Sequence, residues 1–133
     1  MAKKLMIVDE AVLARHLVRQ VAALPQDTVL ECGSPDEALK AMKIFKPDCV
    51  VMGVTPPLPG IFNAIRSIRE TYPQVRVVAL SQVHETRLEQ MAADAGASGY
   101  ATAENISQLY LLAAPERLTI RPRRRANVRR PRK

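Results

Sequence analysis

The chain has 133 residues, of which 47% are hydrophobic and 4% aromatic, and two are cysteines. This length suits one domain with a real hydrophobic core. No apolar run approaches the roughly 18 residues that a membrane span needs, and the apolar run after the N-terminal lysines is too short for a signal peptide. Because Cys32 and Cys49 match neither a metal motif nor a disulfide framework, we expect a reduced, cytoplasmic protein.

The formal net charge of +7 comes from one end of the chain. Residues 121–133 hold seven arginines, one lysine and no acidic residue, whereas residues 1–120 are nearly neutral, with a balance of −1. We therefore divide the chain into a body, residues 1–116, and an arginine-rich tail, residues 117–133. A neutral body with a basic tail predicts that an anionic ligand binds the tail and not the whole surface.

The first half of the chain alternates short apolar runs with helical periodicity. Residues 5–8 predict a buried strand, and residues 28–32 predict a second one. Ser34 is a good N-cap for the helix that follows, and Glu37 completes a capping box. The apolar residues between the two strands recur at three- and four-residue spacing, which predicts a helix that Pro25 ends: Val12, Leu13, Leu17, Val21 and Leu24.

The second half continues this alternation. Its predicted elements are a strand over 49–52, a helix through Ile61, Ile65 and Ile68, a strand over 75–80, a helix over roughly 84–95 ended by Gly96, a strand over 99–101 and a helix from near Asn105 to Pro115. Five strands alternating with five helices indicate a parallel sheet covered on both faces. Sites in such sheets form at the carboxyl ends of the strands. We therefore expect one cleft to contain Asp9, Glu10, Gly53 and Ser81.

Several short motifs occur in the order and at the spacing of one protein family. They are Ile7-Val8-Asp9-Glu10, Ser34-Pro35-Asp36-Glu37-Ala38-Leu39, Lys46-Pro47-Asp48, Pro57 with Gly60, Val77-Val78-Ala79-Leu80-Ser81 and Gly96-Ala97-Ser98-Gly99-Tyr100. Over residues 1–114 the chain resembles a response-regulator receiver domain of the chemotaxis-regulator type. The resemblance implies an α/β, flavodoxin-like fold: a doubly wound, five-stranded parallel sheet of order 2-1-3-4-5 with five helices. It also implies a signalling module and not an enzyme.

The resemblance assigns roles to four residues. In the family, an acidic pair holds Mg²⁺ beside a phosphoryl-accepting aspartate, and a Ser/Thr hydroxyl contacts the phosphoryl oxygens. Asp9 and Glu10 match the acidic pair, and Ser81 matches the hydroxyl. Tyr100 matches the aromatic switch position, which belongs to the face of helix 4, strand 5 and helix 5 that docks protein partners.

Two positions depart from the family pattern. Gly53 stands where the phosphoryl-accepting aspartate belongs, and Ala103, or a neighbour within residues 101–104, stands where a lysine neutralises charge. The proline-rich loop after Gly53 is also one residue shorter than usual. Glycine offers no nucleophilic oxygen, and no cation is fixed beside the site, so we expect no phosphorylation at Gly53 and no catalytic residue.

We also expect no cofactor. Mg²⁺ prefers several hard oxygen ligands, and the acceptor carboxylate is missing, so a metal site at Asp9 and Glu10 is the weaker alternative. Plainer interpretations exist: this pair caps the first helix, Ser81 forms a hydrogen bond at a strand end, and Tyr100 packs half-buried. Asp48 does not replace the acceptor, since it precedes the third strand and belongs at the opposite end of the sheet.

The arginine-rich tail buries little and repels itself, so it is not expected to fold alone. Arginine offers a planar fork for phosphates and a flat face for stacking on bases, which favours a ligand with both phosphates and purines. Nucleic acid fits this description, and so does a cyclic dinucleotide. The same charges are compatible with a solvated tail that has no ligand, or with binding to an anionic membrane surface, although the tail lacks large apolar anchors. The candidate ligand-binding residues are Arg117, Arg121, Arg123, Arg124, Arg125, Arg129, Arg130 and Arg132.

Receiver-like proteins with a C-terminal arginine-rich stretch resemble a group of cyclic di-GMP effectors, some of which act on the flagellar motor or on adhesion. We therefore predict a phosphorylation-independent signalling adaptor. Its tail binds an anionic nucleotide, with cyclic di-GMP as the first candidate, and its body docks a protein partner such as the flagellar motor or chemotaxis machinery. A nucleic-acid-binding accessory protein acting through the tail is the alternative, and a response regulator with an unusual acceptor is the third hypothesis.

Overall fold

The computed structural model describes residues 2–56, 58–82 and 84–114. The strands are β1 (Lys4–Val8), β2 (Thr28–Cys32), β3 (Cys49–Gly53), β4 (Arg76–Ser81) and β5 (Gly99–Thr102). The helices are α1 (Val12–Ala22), α2 (Pro35–Phe45), α3 (Leu58–Thr71), α4 (Thr86–Ala95) and a short α5 (Leu109–Ala113), which follows a 3₁₀ segment over Ala103–Gln108. No helix within the described residues is long and apolar enough to cross a bilayer.

The five strands form one parallel sheet in the order β2-β1-β3-β4-β5. Two hydrophobic clusters cover its faces: one packs α2, α3 and α4 against the sheet, and the other packs α1 and α5 against the opposite face. The predicted fold class and strand order are thereby confirmed. The strands are parallel because each helix returns the chain to the edge of the sheet where the next strand begins. The helices therefore pack on the two faces of the sheet.

Helix α1 forms where the periodicity predicts it, but only part of the predicted stripe faces the sheet, where Val21 packs against the buried cluster. Val18 and Ala22 are buried, whereas Leu13 is 81% exposed and Leu17 is 47% exposed. Both stripes have helical spacing, so periodicity alone does not choose between them. The helix also ends at Ala22, before the predicted stop at Pro25.

The caps of the helices correct two further predictions. Ser34 Oγ accepts a hydrogen bond from Glu37 N at 3.1 Å, as predicted, but the Glu37 carboxylate accepts from Gly33 N at 2.7 Å, one residue before the expected partner. The predicted start of the last helix lies near Asn105. In the structure it begins instead as a 3₁₀ segment at Ala103, because Asn105 Oδ1 accepts the Thr102 N–H at 2.8 Å.

A buried ion pair fixes the edge of the sheet where the strands begin. Lys3 Nζ lies 2.6 Å from Asp27 Oδ2, and the two side chains are 3% and 0% exposed. Lys3 Nζ also donates to Ala22 O at 2.9 Å, and Leu24 N donates to Asp27 Oδ2 at 2.8 Å. Burial by itself raises the pKa of Asp27, but these hydrogen bonds and the Lys3 charge outweigh it and lower the pKa below 3.8.

Candidate functional site

The carboxyl ends of β1, β3 and β4 bring three of the predicted site residues to one edge of the sheet. Val8 pairs with Met52, and Gly53 pairs with Leu80. Asp9 therefore follows β1 directly beside the last residue of β3, and Ser81 ends β4 one strand further along. Parallel strands place their carboxyl ends together, which is why residues distant in sequence meet here.

The side chain of Asp9 occupies the space above Gly53. A Cβ atom placed on Gly53 would overlap Asp9 Oδ2 and lie 2.9 Å from Asp9 Cγ. It would also lie 3.3 Å from the Val8 carbonyl oxygen. Gly53 is itself buried. The position that the resemblance gives to an acceptor carboxylate is thus filled by the carboxylate of another residue, and no side chain fits at Gly53 unless Asp9 moves.

Hydrogen bonds hold Asp9 in this place. Its Oδ1 accepts from Ala11 N at 2.9 Å, just before α1 begins, and its backbone N–H donates to Cys32 O at 3.0 Å. No acidic residue lies in the first turn of α1. Asp9 therefore satisfies a backbone donor ahead of the helix, close to the capping role in the plainer interpretation.

Arg15 is a residue of this edge that sequence reasoning missed. Its Nη1 donates to Asp9 O at 2.6 Å, and its Nε donates to Glu31 Oε1 at 3.0 Å. Arg19 lies 2.9 Å from the other Glu31 oxygen. Burial alone raises the pKa of Glu31, but the two guanidinium groups more than compensate and lower it. Both arginines thus pair with Glu31. Their spacing of four residues puts them on one side of α1, which was the signal in the sequence that they could share a partner.

The residues predicted to form one cleft line two neighbouring cavities that share Asp9 and Thr55. One cavity of about 350 Å³ contains Asp9, Glu10 and Gly53 in its lining, together with Ser34 and Asp36. A second cavity of about 340 Å³ contains Ser81. Asp9 lines both cavities, because its side chain stands between them over Gly53. Ser81 and the pair Glu10 and Gly53 thus line adjoining cavities, and the prediction that all four residues form one cleft stays a prediction.

The second cavity lies where the resemblance places a lysine. Ala103 is exposed and lines this cavity with apolar side chains, among them Leu13, Leu80 and Ile106. Ser81, which is 4% exposed, is one of its few polar residues. The short alanine side chain leaves open the volume that a long cationic side chain would fill. The cavity wall therefore supplies no fixed positive charge for a phosphoryl group.

The described residues lack one carboxylate of the Mg²⁺ site that the fold family implies, since Gly53 stands at its position. Over residues 2–56, 58–82 and 84–114, no three His, Cys, Asp or Glu side chains are grouped closely enough to hold a metal ion. The Asp9 carboxylate is turned to Ala11 N through Oδ1 and lies over Gly53 through Oδ2. Mg²⁺ is usually bound by one or two carboxylates with water completing the octahedron, so the weaker alternative of a metal site at Asp9 and Glu10 stays a prediction.

Tyr100 lies half-buried in β5 beside the start of α4. Its ring is 6.3 Å from the His84 ring in an edge-to-face arrangement, and His84 Nε2 lies 3.0 Å from Glu89 Oε1. These three residues join β5 to the first turns of α4. The eight candidate arginines of the tail, the boundary between residues 116 and 117, and Pro57 all lie outside the described residues, so those predictions stay predictions.

Comparison with known proteins agrees with this architecture. A family model described as the response regulator receiver domain matches residues 5–109. The response regulator GacA of Pseudomonas syringae pv. syringae is 31% identical over 121 residues, which cover 86% of this chain and 56% of GacA. The chemotaxis protein CheY of Halobacterium salinarum is 26% identical over 102 residues, 77% of this chain and 85% of CheY. The chain thus spans about half the length of its GacA relatives.

Solved structures show the same fold. A response regulator from Thermotoga maritima superposes with a TM-score of 0.74 at 23% identity, covering 85% of this chain and 98% of that one. A LuxR-family two-component response regulator from Aurantimonas sp. SI85-9A1 superposes with a TM-score of 0.68 at 25% identity, covering 84% and 96%. Because the family model spans most of the chain and the fold agrees with it, the chain belongs to the response-regulator receiver family and takes part in receiver-type signal transduction.

Proposed function

We propose that this chain is a receiver-type signalling adaptor that works without phosphorylation. The observation that carries the proposal is the Asp9 carboxylate above Gly53. A phosphoryl acceptor must present a nucleophilic oxygen to the incoming phosphorus atom. Glycine has none, and the carboxylate in its place points one oxygen at a backbone donor and packs the other against a buried strand.

The charges around the site support the same proposal. Phosphoryl transfer needs fixed positive charge where negative charge develops. Ala103 supplies none to the second cavity. Arg15 contacts Asp9 only through the backbone carbonyl and is held by Glu31. Asp48 lies at the opposite edge, where its backbone N–H donates to Lys4 O at 2.8 Å, so it does not substitute for the missing acceptor.

Treatment with acetyl phosphate and Mg²⁺, followed by intact-mass measurement, tests this part of the proposal. We expect no added phosphoryl mass on the full chain, while a receiver domain that retains the acceptor aspartate and the lysine gains it under the same conditions. A stoichiometric phosphoryl adduct on the wild-type chain would overturn the proposal. Mapping that adduct by fragmentation would then identify the unusual acceptor of the third hypothesis.

The ligand proposed for the tail is an anionic nucleotide, with cyclic di-GMP as the best candidate. The support is compositional: the positive charges of residues 121–133 are almost all arginines beside a nearly neutral body. Guanidinium groups pair with phosphates in a bidentate manner and stack on purines. A cyclic dinucleotide offers two of each. Nucleic acid offers the same groups in a polymer, and it remains the alternative.

Calorimetry on the full chain separates these ligands. We expect cyclic di-GMP to bind the wild type, GMP to bind far more weakly, and a variant with Arg121, Arg123, Arg124 and Arg125 all changed to Gln to lose binding. Absence of heat with cyclic di-GMP would exclude this ligand. If short DNA or RNA binds instead, its affinity should fall with salt by a log–log slope of about −0.9 per phosphate neutralised, and the nucleic-acid alternative would take its place.

The proposed surface for a protein partner surrounds Tyr100, on the face formed by α4, β5 and the 3₁₀ segment before α5. Half-buried aromatic residues next to exposed polar ones are common in binding surfaces. Changing Tyr100 to Ala should impair signalling in a strain that lacks the chromosomal copy, for example in a swimming or adhesion assay, without changing nucleotide affinity. Wild-type behaviour of this variant would exclude Tyr100 from the docking surface.

A further inference from the structure

Four lysines form a positively charged surface at the edge of the sheet where the strands begin. We call this surface the basic edge: Lys4 at the start of β1, Lys40 and Lys43 in the second half of α2, and Lys46 just after it. All four are exposed, and none forms an ion pair within the part of the chain that the structure describes. The site described above lies at the opposite edge and does not use them.

A chain of contacts shows that this edge is continuous across the sheet. Lys4 Nζ donates to Phe45 O at 3.1 Å, which ties the end of α2 to β1. Asp48 N donates to Lys4 O at 2.8 Å, and Arg76 N donates to Asp48 O at 3.1 Å. Arg76 Nη2 then donates to Leu112 O in the last turn of α5 at 2.7 Å. The ends of α2 and α5 therefore lie on the same side of the molecule.

Apolar side chains are exposed beside these positive charges. Ile44 is 85% exposed between Lys43 and Lys46. Leu111 and Tyr110 of α5 are also exposed, at 61% and 41%, but α5 packs on the opposite face of the sheet from α2. Ile44 is thus the large apolar side chain that lies among the lysines, and we take this combination of charge and apolar surface as the basis of the inference.

Helix α5 ends at this same edge, and the arginine-rich tail follows it in sequence. Ala114 follows α5, and residues 115–133 come next, with eight positive charges over residues 121–133. Asp36 lies at the other end of α2, whereas the exposed Asp48 lies at this edge and turns Oδ2 to Lys4 N at 2.8 Å. Glu70 and Asp94 lie near the ends of α3 and α4, the helices that lead to β4 and β5. Beside β1 and the end of α2, the four lysines outnumber the one carboxylate that the described contacts place there.

We propose that the basic edge binds an anionic lipid surface, with Ile44 inserted among the headgroups. Exposed lysines near an anionic leaflet are attracted to it electrostatically, and an apolar side chain among them inserts at the headgroup boundary. A nucleic acid accounts for the lysines but gives Ile44 no role. This inference is independent of the nucleotide proposed for the tail, since the lysines and Ile44 belong to the body.

Co-sedimentation of the full chain with vesicles tests the inference. We expect binding to vesicles of phosphatidylglycerol mixed with phosphatidylcholine and none to phosphatidylcholine alone. Lys43→Gln should weaken binding roughly fivefold and the double change of Lys40 and Lys43 to Gln roughly thirtyfold, because each lysine contributes a comparable increment. Ile44→Ser should weaken it roughly tenfold by removing the inserted apolar group.

Arg87→Gln is the matched control, since Arg87 is exposed in the first turn of α4, away from this edge, and the net charge changes equally. It should bind vesicles like the wild type. Equal losses of vesicle affinity in Lys43→Gln and Arg87→Gln would show that only net charge matters and would overturn the proposal. Wild-type vesicle affinity of Ile44→Ser would overturn it too. If Lys40 and Lys43 govern binding to single-stranded DNA but not to vesicles, the edge is a nucleic-acid surface and the lipid proposal is wrong.

Discussion

Changing Gly53 to alanine tests whether Asp9 has taken the space of the missing acceptor side chain. The new Cβ would overlap Asp9 Oδ2, so Asp9 must move, and its hydrogen bond from Ala11 N would be lost. Overpacking by one methyl group costs roughly 1–3 kcal/mol, and the lost hydrogen bond costs about 1 kcal/mol. The reduced freedom of the unfolded chain returns about 0.4–1 kcal/mol. We expect the free energy of unfolding to fall by about 2 kcal/mol.

The same substitution should behave differently once Asp9 is absent. In an Asp9→Ala background the overlapping carboxylate is gone, and only the Val8 carbonyl oxygen, 3.3 Å from the new Cβ, remains close. Gly53→Ala should then be neutral or slightly stabilising. The double-mutant cycle should give a coupling free energy of about 2 kcal/mol, measured by urea unfolding of the two single variants, the double variant and the wild type.

Gly60 provides the matched control. A Cβ on Gly60 meets nothing within 4 Å, and Gly60 lies in α3, where alanine is favoured by about 0.5–1 kcal/mol. Gly60→Ala should therefore stabilise the protein in both backgrounds. If Gly53→Ala is harmless in the wild type, or equally costly without Asp9, the close packing of Asp9 on Gly53 does not govern this site.

Three further predictions concern the framework. Asp27→Asn should lower the free energy of unfolding at pH 7 by about 3 kcal/mol, because it leaves Lys3 charged, buried and unpaired. The folded state lowers the pKa of Asp27 below its ordinary value of 3.8, so the stability that its charge contributes is fully present above the unfolded-state pKa and is lost as the pH falls towards and through the folded-state pKa. The variant should therefore lose less stability than the wild type between pH 6 and pH 3. Arg76→Ala should cost about 1.5 kcal/mol and speed amide exchange in α5, since Nε and Nη2 both donate to Leu112 O. Burial raises the pKa of the Cys49 thiol to about 12, so it should resist alkylation at pH 8 until the protein is unfolded in urea.

Each of these predictions has its own contradicting result. Parallel acid-denaturation curves for wild type and Asp27→Asn would show that this carboxyl does not contribute to the acid sensitivity. Arg66→Ala is the control for Arg76→Ala, since Arg66 is exposed and, among the described residues, donates a hydrogen bond only to Asn63. Equal effects of the two changes would show that Arg76 does not stabilise the end of α5. Alkylation of Cys49 in the native protein at the rate seen in urea would contradict its burial.

Sequence reasoning was most reliable where a single local interaction decides the structure. Gly96 ends α4 with φ of 111°, the conformation that glycine adopts at low cost, and Ser34 caps α2 as expected. It failed where two local patterns competed. The stripe of Leu13 and Leu17 on α1 is as periodic as that of Val18 and Ala22, and only packing against the sheet selects the second.

The amino-acid sequence determined the architecture of this protein, because periodicity, caps and breaks fix the order of strands and helices, and that order permits few sheets. It also determined that position 53 has no reactive oxygen. Tertiary structure alone decided that Asp9 fills the space above Gly53, that Asp9 and Ser81 line the same cavity, and that four lysines share an edge with the end of α5. These features depend on contacts between residues far apart in the chain, and local sequence patterns do not specify which of these side chains occupies a given space.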